Sequence, residues 1–185
     1  MIDFTSIEHL KNGNERQIAA YDSIQKLGLL KKLKPFDPIL VGTIPIQVDI
    51  EESDLDIICY VTDDAHFKQV TEEFAAYKDF CSKEVFINEV KSIIVNFNSG
   101  GFKFEIFGQR VPSKQQNAFR HMVIEHQILQ EHGEEFRREV INLKMEGYKT
   151  EPAFAKLLGL KGNPYVAMLE VVSQVTLNSA SIKGL

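Results

Sequence analysis

Ile39 to Val61 reads ILVGTIPIQVDIEESDLDIICYV. An apolar run ends in Gly42-Thr43, ten residues follow (44 to 53), and Asp54-Leu55-Asp56 opens a second apolar run. Side chains alternate faces along a strand, so Asp54 and Asp56 point one way while Leu55 and Ile57 point into the core. Two carboxylates held side by side against buried strand repel each other and lose solvation. A divalent cation between them makes that arrangement tolerable. Mg²⁺ takes oxygen ligands and commonly keeps phosphates in its shell. The stretch therefore reads as a metal-phosphate site, with a solvated acidic turn at Glu51-Glu52-Ser53-Asp54 as the bland alternative.

Working outward, Asn14 can cap a helix over 15 to 32. Its apolar positions are Ile18, Tyr21 or Ala19, Ile24, Leu27 and Leu30, and Pro35 bounds its end. Residues 38 to 42 and 54 to 61 read as strands, with a loop containing Pro45 between them. Thr62-Asp63-Asp64 offers caps for a helix over 65 to 80, with Phe67, Val70, Phe74 and Tyr77 on its apolar face. Residues 83 to 90 and 92 to 97 read as strands. Asn98-Ser99-Gly100-Gly101 signals a hairpin, because glycine accepts positive φ. The returning strand, 102 to 108, puts Lys103, Glu105 and Phe107 on one face and Phe102, Phe104 and Ile106 on the other. After Pro112 the texture turns helical, with helices over 114 to 131, 134 to 146, 151 to 158 and 164 to 177. Gly147, Gly159 and Gly162 act as stops. The tail, 178 to 185, shows no clear pattern.

The pattern resembles the signature of the DNA polymerase beta-like nucleotidyltransferase superfamily: an apolar strand, Gly-Ser, about ten residues, an Asp-x-Asp pair on the next strand and a third carboxylate later. Gly42, Thr43, Asp54 and Asp56 match its first parts, and Glu105 in FKFEIF is the candidate third carboxylate. FKFEIFGQ, QQNAFRHMVIEH and TEPAFAKLLGL further resemble a small bacterial family of uncharacterised function within that superfamily. The resemblance implies an α+β fold: a nucleotidyltransferase-like mixed sheet flanked by helices over 1–112, and a C-terminal helical region, 113–185, packed on it. It implies transfer of a nucleoside monophosphate from a nucleoside triphosphate to an acceptor hydroxyl, with Mg²⁺ or Mn²⁺ held by Asp54, Asp56 and Glu105. Gly42 would let the backbone approach the phosphates and the Thr43 hydroxyl would hold them.

Three positions depart from the pattern. Thr43 stands for serine, Glu105 for the commoner aspartate, and Ile44-Pro45-Ile46 lies where many relatives carry an arginine. The triphosphate then needs a cation from elsewhere, with Arg110, Lys114, Arg120 and Lys149 as candidates against a plain role as surface charges. Gln116 and Arg120, four apart, can face an acceptor across the cleft or simply cap and coat a helix. His121 and Glu125 share a helix face, but their spacing is not that of the helical zinc motifs. They read as a surface hydrogen bond or part of the cleft wall. The alternative reading of the whole is a nucleotide-, metal- or partner-binding protein of the same fold that has lost transfer.

A chain of 185 residues is long enough for a real core, as one domain or a domain with a helical appendage. A net charge of -5 disfavours long nucleic acid as a partner and leaves a small molecule or a protein as the expected acceptor. The two cysteines, Cys59 and Cys81, have no metal or disulfide spacing. Cys59 reads as a buried thiol and Cys81 as following a helix. No signal-peptide pattern opens the chain and no apolar run approaches membrane-spanning length, so a cytoplasmic setting is expected.

Overall fold

Strands β2 (Leu55–Tyr60) and β5 (Phe102–Gln109) pair in parallel inside a five-stranded sheet, seen in a computed structural model that describes residues 2–87 and 89–171. With β1 (Ile39–Val41), β3 (Lys78–Ile87) and β4 (Val90–Ser99), the spatial order is β1-β2-β5-β4-β3. Every other pairing is antiparallel. Parallel neighbours need a crossover, and here it consists of α3 (Asp64–Thr71) followed by β3 and β4. The mixed sheet with flanking helices is the fold class expected from the sequence.

Helix α1 (Glu15–Leu27) starts in a capping box. The Asn14 side chain accepts from Gln17 N at 2.9 Å, and the Gln17 side chain accepts from Asn14 N at 3.1 Å. The helix expected to run from 15 to 32 is broken at Gly28, whose φ of 61° ends α1 before the short α2 (Leu29–Lys32). Its buried face also differs: Ala20, Ile24 and Leu27 turn inward with polar Gln17, while Ile18 is exposed. Ile44-Pro45-Ile46, read as loop, forms a buried 3-10 turn.

Asp63 caps α3 through bonds from the backbone N–H groups of Ala65 and His66. The helix expected to reach residue 80 ends at Thr71, passes through a 3-10 turn (Glu72–Phe74), and gives way to β3 at Lys78. Backbone pairing of 78 to 87 with β4 outweighs the helical spacing, although Phe74 is still buried and Val70 and Tyr77 still pack on the core. Strands expected at 83 to 90 and 92 to 97 are observed as Lys78–Ile87 and Val90–Ser99, with Glu89 at φ 64°. Cys81 therefore lies on β3 rather than after a helix. The β4–β5 hairpin is as read: Ser99 pairs with Phe102, and Gly100 and Gly101 take φ of 59° and 82°.

Burial alternates along β5, with Phe102, Phe104 and Ile106 inward and Lys103 exposed. Phe74, Phe97 and Phe104 stack in succession, each step 4.9 Å between ring centroids and nearly parallel. This stack joins α1, α2, β1 and β2 residues in one core. Gly108 is closely packed as well, since a Cβ there would lie 2.8 Å from the Phe67 ring and 2.7 Å from Val61.

The chain divides into two compact units, Met1–Gln47 with Glu51–Phe119, and Val48–Ile50 with Arg120–Leu185. The second contains most of α4 (Asn117–Met145), α5 (Thr150–Leu157) and a helix α6 over 164–171. Gly133 (φ 78°, ψ -168°) interrupts α4 where the sequence separates two helices. Residues 172–177 of the last expected helix, and the tail 178–185, lie outside the described residues. Among the described residues no helix is long and apolar enough to cross a membrane.

Phe97 occupies the middle of the aromatic stack. Phe97→Ala is expected to lower stability by about 3–5 kcal/mol, read as a lowered denaturation midpoint in urea with an unchanged slope.

Candidate functional site

The carboxylates belong to a row that crosses the sheet. Val41 on β1 pairs with Asp56 on β2, Asp56 with Glu105 on β5, Glu105 with Asn96 on β4, and Asn96 with Cys81 on β3. Register partners share a face, and neighbouring strands lie about 4.8 Å apart. The parallel register thus sets Asp56 and Glu105 side by side, two like charges that disfavour each other without a cation. Asp54 lies one residue before β2 and next to Lys103. Asn96 was not singled out from the sequence, although the polar-apolar alternation of Val95-Asn96-Phe97-Asn98 carries the signal. Its amide stands beside Glu105.

Gly42 directly follows β1 and takes φ 87°. A Cβ there would lie 2.7 Å from Asp56 Oδ2, so a side chain at 42 would displace that carboxylate. Only glycine accommodates both the left-handed backbone and the close approach. Thr43 Oγ1 is 3.2 Å from Ser53 Oγ, joining the two ends of the ten-residue connection.

Two α1 residues hold that connection. Gln17 is buried and donates from Nε2 to Ile44 O (2.9 Å) and Pro45 O (3.3 Å), while its Oε1 accepts from Gln47 Nε2 at 2.9 Å. Arg16 Nη2 donates to Glu51 O (2.7 Å) and Ser53 O (3.1 Å), and its guanidinium lies 5.0 Å over the Phe102 ring. Both emerge on one turn of helix, fixing the backbone on either side of Thr43 and Asp54. Sequence periodicity does not expose them, because polar residues at the start of a helix usually face water.

Lys103 Nζ donates to Asp54 Oδ2 at 2.7 Å. The Asp54 hydrogen bond, with charges on Asp54, Glu105 and Asp56, raises the lysine above its ordinary pKa. The donor set suits Mg²⁺ in chemistry: three hard oxygen ligands, Asp56 and Glu105 in register and Asp54 one residue before β2, with Gly42 leaving room for the Asp56 carboxylate. Among the described residues, however, no three His, Cys, Asp or Glu side chains are gathered closely enough to form a metal cage.

The other candidates have settings of their own. Arg110 Nη2 donates to Thr62 O at 2.9 Å, five residues along β5 from Glu105 and so about 16 Å away. Gln116 is not on a helix face; it has extended backbone, is buried, and donates to Cys59 O and Val111 O at 2.9 Å each. It fastens the end of β2 rather than facing an acceptor. Arg120 is exposed in α4, Lys149 is exposed before α5, and Lys114 is exposed. Cys59 is buried, and burial pushes its thiol far up.

The second unit contains a polar cluster around His121 and Glu125, the pair read from sequence as a surface hydrogen bond or part of the cleft wall. His121 and Glu125 are both buried. His121 Nδ1 lies 3.1 Å from Glu151 Oε1, and its Nε2 lies 2.9 Å from Tyr165 O. Burial alone would lower His121, but the Glu151 bond, the Tyr165 carbonyl and the charges of Glu151 and Glu125 leave it raised. Burial, then the Glu151 charge, push Glu125 up to about 8, against the opposing effects of His121 and Lys144. Lys144 is itself buried and donates to Val48 O at 2.7 Å. The partners of His121 come from residues 151 and 165, which helical spacing around 121 does not reveal.

This mixed sheet is similar in fold to solved nucleotide polymerases. The Cid1 poly(U) polymerase solved with MgGTP superposes with a TM-score of 0.51 and 17% identity, over 69% of this chain and 41% of that one. The same polymerase with Mg 3'-dATP gives 0.50 and 18%, over 75% and 41%. A structure describing Cid1 RNA terminal uridylyl transferase activity gives 0.50 and 16%, over 75% and 41%. The chain thus spans about two fifths of the length of these proteins, and at such identity the likeness is one of fold. The chain belongs to the family described as Domain of unknown function (DUF4269), which matches residues 22–171. Among curated protein sequences none matches.

The buried cluster has a pH signature. Glu125 and His121 both bind protons more tightly folded than unfolded. Between the ordinary carboxylate pKa and about 8 the folded chain therefore holds more protons, and stability falls as pH rises. Melting temperature is expected to drop from pH 5.5 to pH 8 by several degrees, each kcal/mol counting for about 2–4 °C. Glu125→Gln should flatten that slope in a thermal-unfolding series.

Proposed function

We propose that this chain is a Mg²⁺-dependent nucleotidyltransferase that moves a nucleoside monophosphate from a nucleoside triphosphate to an acceptor hydroxyl. The observation that carries the reading is the register of Asp56 against Glu105 beside Gly42, on a sheet with the fold of the poly(U) polymerases. In this reading residues 1–112 form the catalytic core and 113–185 a helical region attached to it.

The acceptor oxygen attacks the α-phosphorus, a new P–O bond forms, and the bond from the α-phosphorus to the bridging oxygen breaks as pyrophosphate leaves. Such a reaction is catalysed chiefly by positioning and by electrostatic stabilisation of the phosphate oxygens. Divalent ions held by Asp54, Asp56 and Glu105 would neutralise that charge. Glu105 takes the acceptor proton, and Asn96, its register partner, orients the carboxylate or the incoming hydroxyl. Gly42 gives the phosphates access to backbone N–H groups, and Thr43 adds a hydroxyl. Gln17 and Arg16 hold this loop in place, so they act as positioning residues.

The acceptor is left unassigned between a small molecule, a protein side chain and an RNA end. The net charge of -5 is no argument against the last, since one fold neighbour is described by an RNA terminal uridylyl transferase activity. Arg110 is left out of the triphosphate site because of its bond to Thr62 at the other end of β5.

Asp56→Asn keeps the size of the side chain and removes one ligand charge. Calorimetric titration of ATP, GTP, CTP and UTP with Mg²⁺ should detect binding by the wild type and none by the variant, with melting temperature within a few degrees. Unchanged nucleotide affinity in the variant would sink the site assignment. Absence of binding by both would favour a partner-binding protein of the same fold.

A further inference from the structure

We propose that Lys103 is the resident counter-ion of the carboxylate row, an ammonium that a divalent cation must displace before Asp54 can act as a ligand. The inference rests on the metal-dependent reading above and assigns to that site a built-in competitor.

Position and charge carry the argument. Lys103 precedes Glu105 by two residues on β5, so both side chains rise from the same face. Across the strand boundary its Nζ meets Asp54 Oδ2 at 2.7 Å. Three carboxylates gathered on one face repel each other when no cation is present. A lysine on that same face supplies the positive charge from within the chain. The ammonium and a divalent ion cannot share one carboxylate oxygen, because their charges repel and both need its lone pairs.

Exchange is physically easy. The Lys103 side chain is 53% exposed and Asp54 28% exposed. A four-carbon stem can swing the ammonium into water without disturbing the core. Among the described residues, that ammonium hydrogen-bonds to Asp54. The inward neighbours Phe102 and Phe104, by contrast, are buried and keep β5 in place when the lysine leaves.

Binding of Mn²⁺ alone to the full chain tests the idea, followed by calorimetry and by the electron paramagnetic resonance signal of free Mn²⁺. Lys103→Met is expected to bind Mn²⁺ about tenfold more tightly than the wild type, a difference of about 1.4 kcal/mol. Lys103→Arg, which keeps the charge, should remain close to the wild type. Lys103→Gln serves as a second neutral variant should the methionine reduce solubility, and both are checked by thermal unfolding. Equal affinities for wild type, Lys103→Met and Lys103→Gln, all abolished by adding Asp56→Asn, overturn the counter-ion proposal and leave the metal site standing. No Mn²⁺ binding by any of these proteins overturns the proposal together with the metal-dependent reading.

Discussion

The parallel pairing of β2 with β5 is the constraint on which the rest of the first unit depends. It is the sole parallel pairing of the described sheet, and it forces the chain to leave β2, build α3 and the β3–β4 pair, and return beside its starting point. The same pairing brings residues 49 apart in sequence, Asp56 and Glu105, into register. A slip by one residue would turn Glu105 to the core and Phe104 or Ile106 outward. The aromatic stack of Phe74, Phe97 and Phe104 resists that slip, so the packing beneath the sheet fixes the chemistry above it.

Around that pairing, the short connection between β1 and β2 is held by side chains rather than by regular structure. Gln17 and Arg16 bond four of its backbone carbonyls in all. Such bonds satisfy backbone groups that secondary structure leaves open. They also couple the start of α1 to both Thr43 and Asp54, so the capping box at Asn14 has a reach well beyond its own helix.

Much of this was legible in the sequence. The glycine before a ten-residue gap and an Asp-x-Asp pair, the Gly100-Gly101 hairpin and the alternation along FKFEIFGQ are local signals, each with a local physical cause. What was not legible depends on distant partners. Gly28 breaks α1 because of its own backbone conformation, which the surrounding helical spacing masks. Lys78 joins β3 by pairing with Asn98, across an irregularity in register before Cys81. His121 and Glu125 look like surface positions until Glu151 and Tyr165 fold against them. Gln116 looks like a helix-surface residue until Cys59 O accepts its hydrogen bond. The pairing of Lys103 with Asp54 follows from register, which no single stretch of sequence states.

The row across the sheet ends in a thiol. Cys81 is exposed and is the register partner of Asn96, two strands from Glu105 and hence about 10 Å from it. Cys59, the other cysteine of the chain, is buried and its thiol is held in the protonated form. Ordinary maleimide chemistry should therefore attach a fluorophore or nitroxide at one position without any engineering. That position lies on the same face as the carboxylates, close enough for a bound ion or nucleotide to alter the label's signal, yet on an edge strand where the label itself leaves the core untouched.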